Sequence, residues 1–195
     1  MSPGQAARPA GPAGRVLGEV MARLNADMEH RAVALLELRG NENALEIGYG
    51  PGVGISALLA ALPHGQVAGV DPSEVMRAQA SRRAAGRGHT DLRVGGVSSL
   101  PWPDAAFDAV AAVNSAQFWP DPAADVAEVL RVLAPVGRVV IALRTGGRHG
   151  HPALVDRYAS LLAERQLTVT RHRSDMRTGP AVFLVGHRTG HTRGH

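Results

Sequence analysis

The chain has 195 residues, which is enough for one domain with a sizeable core and too few for two domains of ordinary size. Hydrophobic residues make up 45% and charged residues 19%, a balance that excludes a largely disordered chain. There is no cysteine, so disulfides, thiolate metal ligands and cysteine nucleophiles are excluded, and the formal net charge is only +4 although every basic residue is an arginine.

The N-terminal region is predicted to divide into a leader and a helix. Residues 1–14 are rich in proline, glycine and alanine, which predicts a disordered leader. From residue 15 to residue 38 the apolar residues recur at steps of three or four, which predicts a long amphipathic helix that Gly40 ends. We expect a single folded domain over residues 15–190.

Short strands and helices alternate through the middle of the chain. Apolar runs predict strands at residues 43–47, 66–70, 92–94, 107–113 and 138–143. Helical patterns predict helices at residues 55–62, 73–85, 121–133 and 152–164, with Ser73 as an N-cap. This alternation predicts an α/β fold whose mostly parallel sheet is covered on both sides.

The C-terminal part departs from this alternation. Residues 167–173 and 181–187 are two extended runs separated by a short loop. A parallel pair of strands needs a crossover of about a dozen residues or more, so we predict an antiparallel hairpin here.

A glycine-rich loop follows the first predicted strand. Residues 44–54 read A-L-E-I-G-Y-G-P-G-V-G, so an apolar strand runs into alternate glycines and then into a helix N-terminus. Backbone amides without a Cβ, next to the positive end of a helix, predict a ligand site. Val53 occupies the third glycine position of the dinucleotide fingerprint G-x-G-x-x-G, which weighs against a nicotinamide cofactor.

Asp71 ends the second predicted strand, beyond the glycine loop in the chain. Ligands of open parallel sheets lie beyond the carboxyl ends of the strands, so an acid at this position can accept hydrogen bonds from both hydroxyls of a ribose. That role suits S-adenosylmethionine (SAM) and NAD equally. Asp71 can also begin the turn that leads to Ser73.

Four segments resemble successive motifs of one enzyme family. They are residues 44–53, the V-A-G-V-D-P-S segment around Asp71, L-P-W-P-D-A-A-F-D at residues 100–108, and R-V-L-A-P-V-G-R-V-V-I at residues 131–141. Together they resemble class I SAM-dependent methyltransferases, most of all the small-molecule group. The resemblance implies a Rossmann-like doubly wound sheet with an antiparallel strand near the C-terminus, and SAM as the cofactor.

The resemblance also implies roles for individual residues. Glu46 would organise the glycine loop, Gly48 and Gly50 would contact the amino acid part of SAM, Asp71 its ribose, and Met76 would approach the adenine. The full implied cofactor set is Glu46, Gly48, Tyr49, Gly50, Gly52, Asp71, Pro72, Met76, Gly96, Val97, Ser98 and Asn114.

Two other functions stay open. Gly96 stands where many members of the family have an aspartate that accepts a hydrogen bond from the adenine amino group, which motivates a non-catalytic protein that binds SAM or regulates a partner. An NAD-dependent oxidoreductase is the second alternative. No metal site is predicted.

The chemistry of methyl transfer asks little of the side chains. It is an in-line displacement at a sulfonium, so alignment and exclusion of water contribute most, and a base is needed only when the acceptor must lose a proton. The candidate catalytic residues near the expected cleft are His30, Tyr49, Asn114 and Gln117.

The expected partner is a small-molecule acceptor. The helix at residues 15–38 would fold over the cleft as a lid and leave room for a small organic molecule. The one dense basic cluster, Arg82, Arg83 and Arg87, has no aromatic residues among it, so we expect no nucleic-acid partner. No run approaches the roughly 18 to 20 apolar residues that cross a bilayer, so we expect no membrane partner and a cytoplasmic location, with a homodimer left open.

Overall fold

The computed structural model describes residues 11–146 and 150–188 of the chain. Its sheet has seven strands in the order β3-β2-β1-β4-β5-β7-β6. Strands β1 to β5 pair in parallel, whereas β7 is antiparallel to both of its neighbours. The strands are β1 (Asn43–Ile47), β2 (Gln66–Asp71), β3 (Thr90–Val94), β4 (Phe107–Val113), β5 (Leu133–Arg144), β6 (Leu167–Met176) and β7 (Gly179–Arg188).

Helices cover both faces of the sheet. They are α1 (Gly11–Leu35), α2 (Val53–Ala61), α3 (Glu74–Ala84), α4 (Pro122–Val132) and α5 (Pro152–Glu164). Helices α1, α2 and α3 pack in one apolar core, and α4 and α5 pack in the other. The chain runs from β1 to β2 on one side and returns to β4 on the other, so a crevice opens at the carboxyl ends of β1 and β4.

The predicted fold class is confirmed. The predicted bounds of β1, β4 and α5 agree with the structure, and Ser73 caps α3 by accepting a hydrogen bond from the Met76 amide. The C-terminal hairpin is also confirmed, with β6 and β7 paired from Leu167 opposite Arg188 to Met176 opposite Gly179. The sequence alone predicts these elements because the periodicity of their residues and the lengths of the loops between them indicate the same structure.

Strand β5 begins earlier than predicted, at Leu133 rather than Arg138. Leu133 pairs with Phe107, and the register shifts before Arg138 pairs with Ala109. Residues 134–137, Ala-Pro-Val-Gly, therefore form an irregularity inside a strand. The sequence predicted a turn here because proline and glycine are typical of turns.

Helix α1 differs from the predicted helix at both ends. It begins at Gly11, so residues 11–14 of the predicted leader are helical, while residues 1–10 lie outside the described residues, as do residues 189–190 of the predicted domain. It ends at Leu35 because the Leu36 and Glu37 amides close a final turn and Glu37 then adopts a left-handed φ of 48°.

The C-terminal half of α1 is part of the core rather than a removable cover. Met28, Ala32 and Val33 are buried with the residues of α2 and α3. For the part of α1 before Met28, the role of a lid stays a prediction.

Candidate active site

The glycine loop connects β1 to α2 and is tightly enclosed. The Gly48 amide donates a hydrogen bond of 2.7 Å to the Val70 carbonyl of β2. Gly48 and Gly52 have left-handed φ values of 77° and 86°. A Cβ on Gly48 would collide with Ser115, and one on Gly52 would lie 2.7 Å from the Ala80 backbone. The loop thus keeps its backbone close to β4 and α3 because these two positions lack side chains.

Asp71 joins the glycine loop to the end of β2. Its Oδ2 accepts from the Gly50 amide and its Oδ1 from the Ser73 amide, each at 2.9 Å, with Pro72 in the turn between. Burial raises the pKa of Asp71 to about 6, although the two amide hydrogen bonds favour the ionised form. Each carboxylate oxygen can accept a second hydrogen bond, so the group retains the capacity to bind ribose hydroxyls.

Glu46 lies on β1, directly below the loop. Its side chain is 1% exposed, and neither carboxylate oxygen receives a hydrogen bond of good geometry from the described residues. Burial, reinforced by the negative charges of Glu29 and Asp71, raises the pKa of Glu46 well above its ordinary value. A buried acceptor without a donor lowers the stability of the fold, so a buried Glu46 calls for a functional reason.

Glu29 of α1 approaches Glu46 from above, and sequence reasoning missed it. It is 7% exposed, and burial raises its pKa to about 8 while a hydrogen bond with Glu46 opposes that rise. Two adjacent carboxyl groups cannot both be ionised at low cost, so the pair shares a proton at neutral pH. The helical pattern gave no reason to bury Glu29, which follows Met28 at the edge of the apolar face.

The end of β4 meets α1 through a polar cluster of Asn25, Asn114 and Arg144. The Asn114 Nδ2 donates to Asn25 Oδ1 at 3.3 Å and to Met28 Sδ at 3.2 Å. The Arg144 Nη2 donates to Asn25 Oδ1 at 2.6 Å, while its Nε is buried without an acceptor in the described part of the chain. Burial lowers the pKa of Arg144.

Gln117 follows Asn114 in the short turn after β4. Its Nε2 donates a hydrogen bond of 2.8 Å to the Asn114 carbonyl. Its Oε1 is buried and has no donor among residues 11–146 and 150–188. The turn after β4 therefore offers one unused acceptor, and the end of the neighbouring strand β5 offers one unused donor, the Nε of Arg144.

A small cleft lies between α1 and the glycine loop, with a volume of about 30 Å³. Ligand pockets typically have volumes of about 300 to 1,000 Å³. A cleft of this volume does not accommodate a nucleoside in the described arrangement of α1 and the glycine loop. The lining residues are Ala22, Asn25, Glu29, Gly48, Tyr49, Gly50, Pro51, Val53, Val113 and Asn114.

The structure brings together most of the predicted cofactor residues. Glu46, Gly48, Gly50, Asp71 and Asn114 all lie at or just beyond the carboxyl ends of β1, β2 and β4.

The predicted residues for the adenine side lie beyond the ends of β2 and β3. Met76 is buried beside α1 and α2, and Val97 is buried in the other core. Gly96 has open space around its Cβ position. The Ser98 Oγ donates to Asp125 Oδ1 at 2.7 Å, so this hydroxyl is already engaged.

Two predicted catalytic residues do not present a free acid or base at the cleft. His30 is exposed on α1 and does not line the cleft, because Glu29 takes the inward position. Tyr49 is 1% exposed, and its hydroxyl donates to the Arg93 carbonyl at 3.1 Å. Burial raises the Tyr49 pKa, so this side chain serves as a strut between the loop and β3 rather than as an acid or base.

Comparison with known proteins gives one consistent result. A family model described as a methyltransferase domain matches residues 45–141. A 37.1 kDa protein of transposon TN4556 from Streptomyces fradiae is 34% identical over 158 residues, covering 80% of this chain and 44% of that protein. Demethylmenaquinone methyltransferase from Thermus thermophilus is 34% identical over 112 residues, covering 57% of this chain and 51% of that enzyme. The chain thus spans about half the length of these relatives.

Comparison with solved structures shows that methyltransferases share this fold. A SAM-dependent methyltransferase from Aquifex aeolicus superposes with a TM-score of 0.75 at 16% sequence identity, over 90% of this chain and 98% of that one. Across the described residues, no helix combines the length and apolar character that crossing a membrane requires.

Proposed function

Because the chain belongs to the SAM-dependent methyltransferase family, we propose that it transfers a methyl group from SAM to a small-molecule acceptor. The observation that carries this proposal is the position of Asp71. Its buried carboxylate ends β2, holds the Gly50 amide of the glycine loop and keeps two acceptor positions for a ribose.

The residues present fit SAM. The backbone of Gly48 and Gly50 would hold its amino acid part, Asp71 its ribose, and the segment at Gly96 and Val97, with Met76, its adenine. When bound, SAM supplies a methyl group activated by a sulfonium. The protein then has to hold the acceptor in line and exclude water, which is the task that the part of α1 before Met28 would perform.

No side chain is assigned as an obligatory base. His30 is exposed and Tyr49 is engaged with a carbonyl, so the groups left are the amide of Asn114, which lines the cleft, and the amide of Gln117 and the guanidinium of Arg144 near the same strand ends. These are hydrogen-bonding groups, suited to orienting an acceptor. Proximity and orientation would therefore supply most of the rate enhancement.

A small acceptor is favoured over a macromolecule. The cover over the cleft is a single helix, and the polar groups that face it are few. The demethylmenaquinone methyltransferase relative acts, by its name, on a small molecule. An untargeted metabolite screen with methyl-labelled SAM would identify the acceptor, and labelling of tRNA alone would contradict the proposed class.

Calorimetry tests the cofactor directly. The protein should bind SAM and S-adenosylhomocysteine and should not bind NAD. Asp71→Ala should weaken SAM binding at least about tenfold, since a hydrogen bond to a charged group contributes roughly 1.5 to 3 kcal/mol. Asp156→Ala, the same change in an exposed ion pair with Arg171, should leave the affinity unchanged. Binding of NAD alone would favour the oxidoreductase alternative.

A non-catalytic SAM-binding protein is the second candidate. Two observations favour it, the glycine at position 96, which cannot accept a hydrogen bond from adenine through a side chain, and the closure of α1 over the loop. Tight SAM binding without labelling of any metabolite, together with full biological function of a variant that cannot bind SAM, would favour this candidate.

A further inference from the structure

Two buried carboxyl groups meet where α1 crosses the glycine loop. Glu29 comes from α1 and Glu46 from β1, and both are more than nine-tenths buried. Within the described residues, neither forms an ion pair with an arginine or a histidine. The Glu46 oxygens also lack hydrogen bonds of good geometry. The pair is therefore a buried acidic site without a cation.

Such a pair is costly in the free protein. Burial penalises each negative charge, and each charge raises the pKa of the other group, so the pair retains a proton that one carboxyl donates to the other. A ligand cation could neutralise the pair in place of that proton. Buried charges are tolerated when they are paired in this way.

The position of the pair identifies the cation. Glu29 lines the cleft beside Gly48, Gly50 and Asn114, where the amino acid part of the cofactor would lie. That part of SAM carries an α-ammonium group. We propose that Glu29 and Glu46 together bind this ammonium group, and that the cofactor displaces the proton that the pair shares in the free protein. This inference rests on the proposed function.

The proposal gives α1 a direct part in cofactor binding. Glu46 belongs to the sheet, and Glu29 belongs to the part of α1 that packs in the core, so both carboxyl groups are in place before the cofactor binds. The ammonium group would link the sheet to α1, directly after the part of the helix that would cover the cleft. Glu29 is a binding and positioning residue in this scheme, with no role in the transfer of the methyl group itself.

Other ionisable groups face the pair from the surrounding elements. Asp71 on β2 raises the pKa of Glu46 through its negative charge, and Tyr49 in the loop stays neutral because burial raises its pKa. Helix α2 contributes no ionisable side chain. On α1, Asp27 accepts hydrogen bonds from the Met28 and Arg177 amides. From β5, Arg144 reaches α1 at Leu24 and Asn25, one turn before Glu29.

Proton release on ligand binding tests the inference in the wild-type protein. Calorimetric titration with S-adenosylhomocysteine at pH 7, in buffers of different ionisation enthalpy, should show release of up to about one proton per site. The affinity should increase as pH is raised from about 6.5 to 8, because fewer protons then compete with the ammonium group. 5′-Methylthioadenosine lacks the amino acid part and should bind without proton release.

Glu29→Gln provides the matched comparison. It keeps the shape of the side chain and can donate to Glu46, so it should fold, and thermal unfolding would verify this. The variant should bind S-adenosylhomocysteine at least about tenfold more weakly and lose most of the proton release, with unchanged affinity for 5′-methylthioadenosine. Glu164→Gln, the same change at an exposed position of α5, should behave as wild type.

These measurements distinguish failure of this inference from failure of the proposed function. Tight binding of S-adenosylhomocysteine without proton release, or equal weakening of both ligands by Glu29→Gln, would overturn the inference and leave the proposed function intact. Absence of binding of SAM and S-adenosylhomocysteine would overturn both.

Discussion

The carboxyl group of Glu46 occupies the space that a Cβ on Gly54 would need. An ideal Cβ at Gly54 would lie 2.6 Å from Glu46 Cδ, well inside van der Waals contact. Gly54 is in the first turn of α2, and Glu46 is on β1. The fourth glycine of the loop therefore serves the buried carboxyl group rather than the bend of the backbone.

Gly54→Ala should destabilise the protein by about 1 to 3 kcal/mol, as expected for overpacking of a core. At an unconstrained helix position the same change would instead stabilise by up to about 1 kcal/mol. Urea unfolding would measure the difference. The double variant Glu46→Ala/Gly54→Ala provides the control, because removing the Glu46 carboxyl vacates the space. Strictly additive effects of the two substitutions would contradict direct contact between these residues.

Arg131 joins the two downstream segments that resemble the methyltransferase family. Its guanidinium donates to the carboxylates of Glu128 and Asp104, each at 2.8 Å, and to the Trp102 and Leu100 carbonyls at 2.9 and 3.0 Å. Arg131→Lys should lower the free energy of unfolding by roughly 1 to 3 kcal/mol, because an ammonium group cannot reproduce this planar set of donors.

The control for Arg131→Lys is Arg77→Lys. Arg77 forms an exposed pair with Glu74 one turn away on α3, so its substitution should cost less than about 0.5 kcal/mol. Chemical denaturation of both variants gives the comparison. Equal losses would show that the bonds of Arg131 to the backbone contribute little.

The carboxyl pair predicts an unusual dependence of stability on pH. Burial raises the pKa of Glu29 to about 8 from its ordinary value of 4.5. From about pH 6.5 the unfolded chain has lost this proton, while the folded protein holds it until the pH passes about 8. The free energy of unfolding should therefore fall as pH rises, by about 2 kcal/mol between about pH 6.5 and 8.5. Burial lowers the pKa of His187, and its contribution, which has the opposite sign, ends near the lower limit of this window.

Urea unfolding at several pH values, without cofactor, would check this dependence. Glu29→Gln should flatten the curve because the amide cannot ionise and can donate to Glu46. Glu164→Gln should retain the wild-type slope, since Glu164 is exposed. A wild-type protein whose stability is constant over this range would contradict a shared proton.

The features that the sequence predicts correctly depend on residues that are close together in the chain. The glycines at 48 and 52 follow the end of β1, and Asp71 ends β2. The alternation of strands and helices predicts parallel strands, whose carboxyl ends lie at one edge of the sheet. The hairpin followed from the short loop between β6 and β7. Each of these inferences uses residues within one or two elements, where local pattern and global fold agree.

The residues that sequence reasoning missed depend on contacts between distant elements. Glu29 is buried because α1 docks on α2, α3 and the central strands β4 and β5, and nothing in the helical pattern specifies that docking. For the same reason His30 was expected at the cleft although its neighbour takes the inward position. Tyr49 lies in a loop that looks accessible, yet its ring packs against Gly69 of β2 and its hydroxyl reaches β3. Tertiary packing decides such positions.

Arg144 is the side chain that we expect to contact the methyl acceptor. It lies at the end of β5, one strand farther from β1 than Asn114 at the end of β4, and therefore away from the end of β2, where the ribose of the cofactor is proposed to lie. Its guanidinium has neutral partners, Asn25 and the Leu24 carbonyl, and forms no ion pair in the part of the chain that the structure describes. A partly desolvated cation with a free Nε is suited to bind an electron-rich oxygen of an acceptor.

Arg144→Met should therefore lower methyl transfer to the acceptor found in the metabolite screen at least about tenfold, equivalent to about 1.4 kcal/mol of transition-state stabilisation. The affinity for S-adenosylhomocysteine should change little, and thermal stability should stay level or rise, because the substitution removes a desolvated cation and retains an apolar stem. Arg173→Met, the same change at an exposed position of β6, should leave all three quantities unchanged. If instead Arg144→Met weakens nucleoside binding and stability together while transfer at saturating cofactor is normal, Arg144 serves to dock α1, and the acceptor must be held by Asn114 and Gln117.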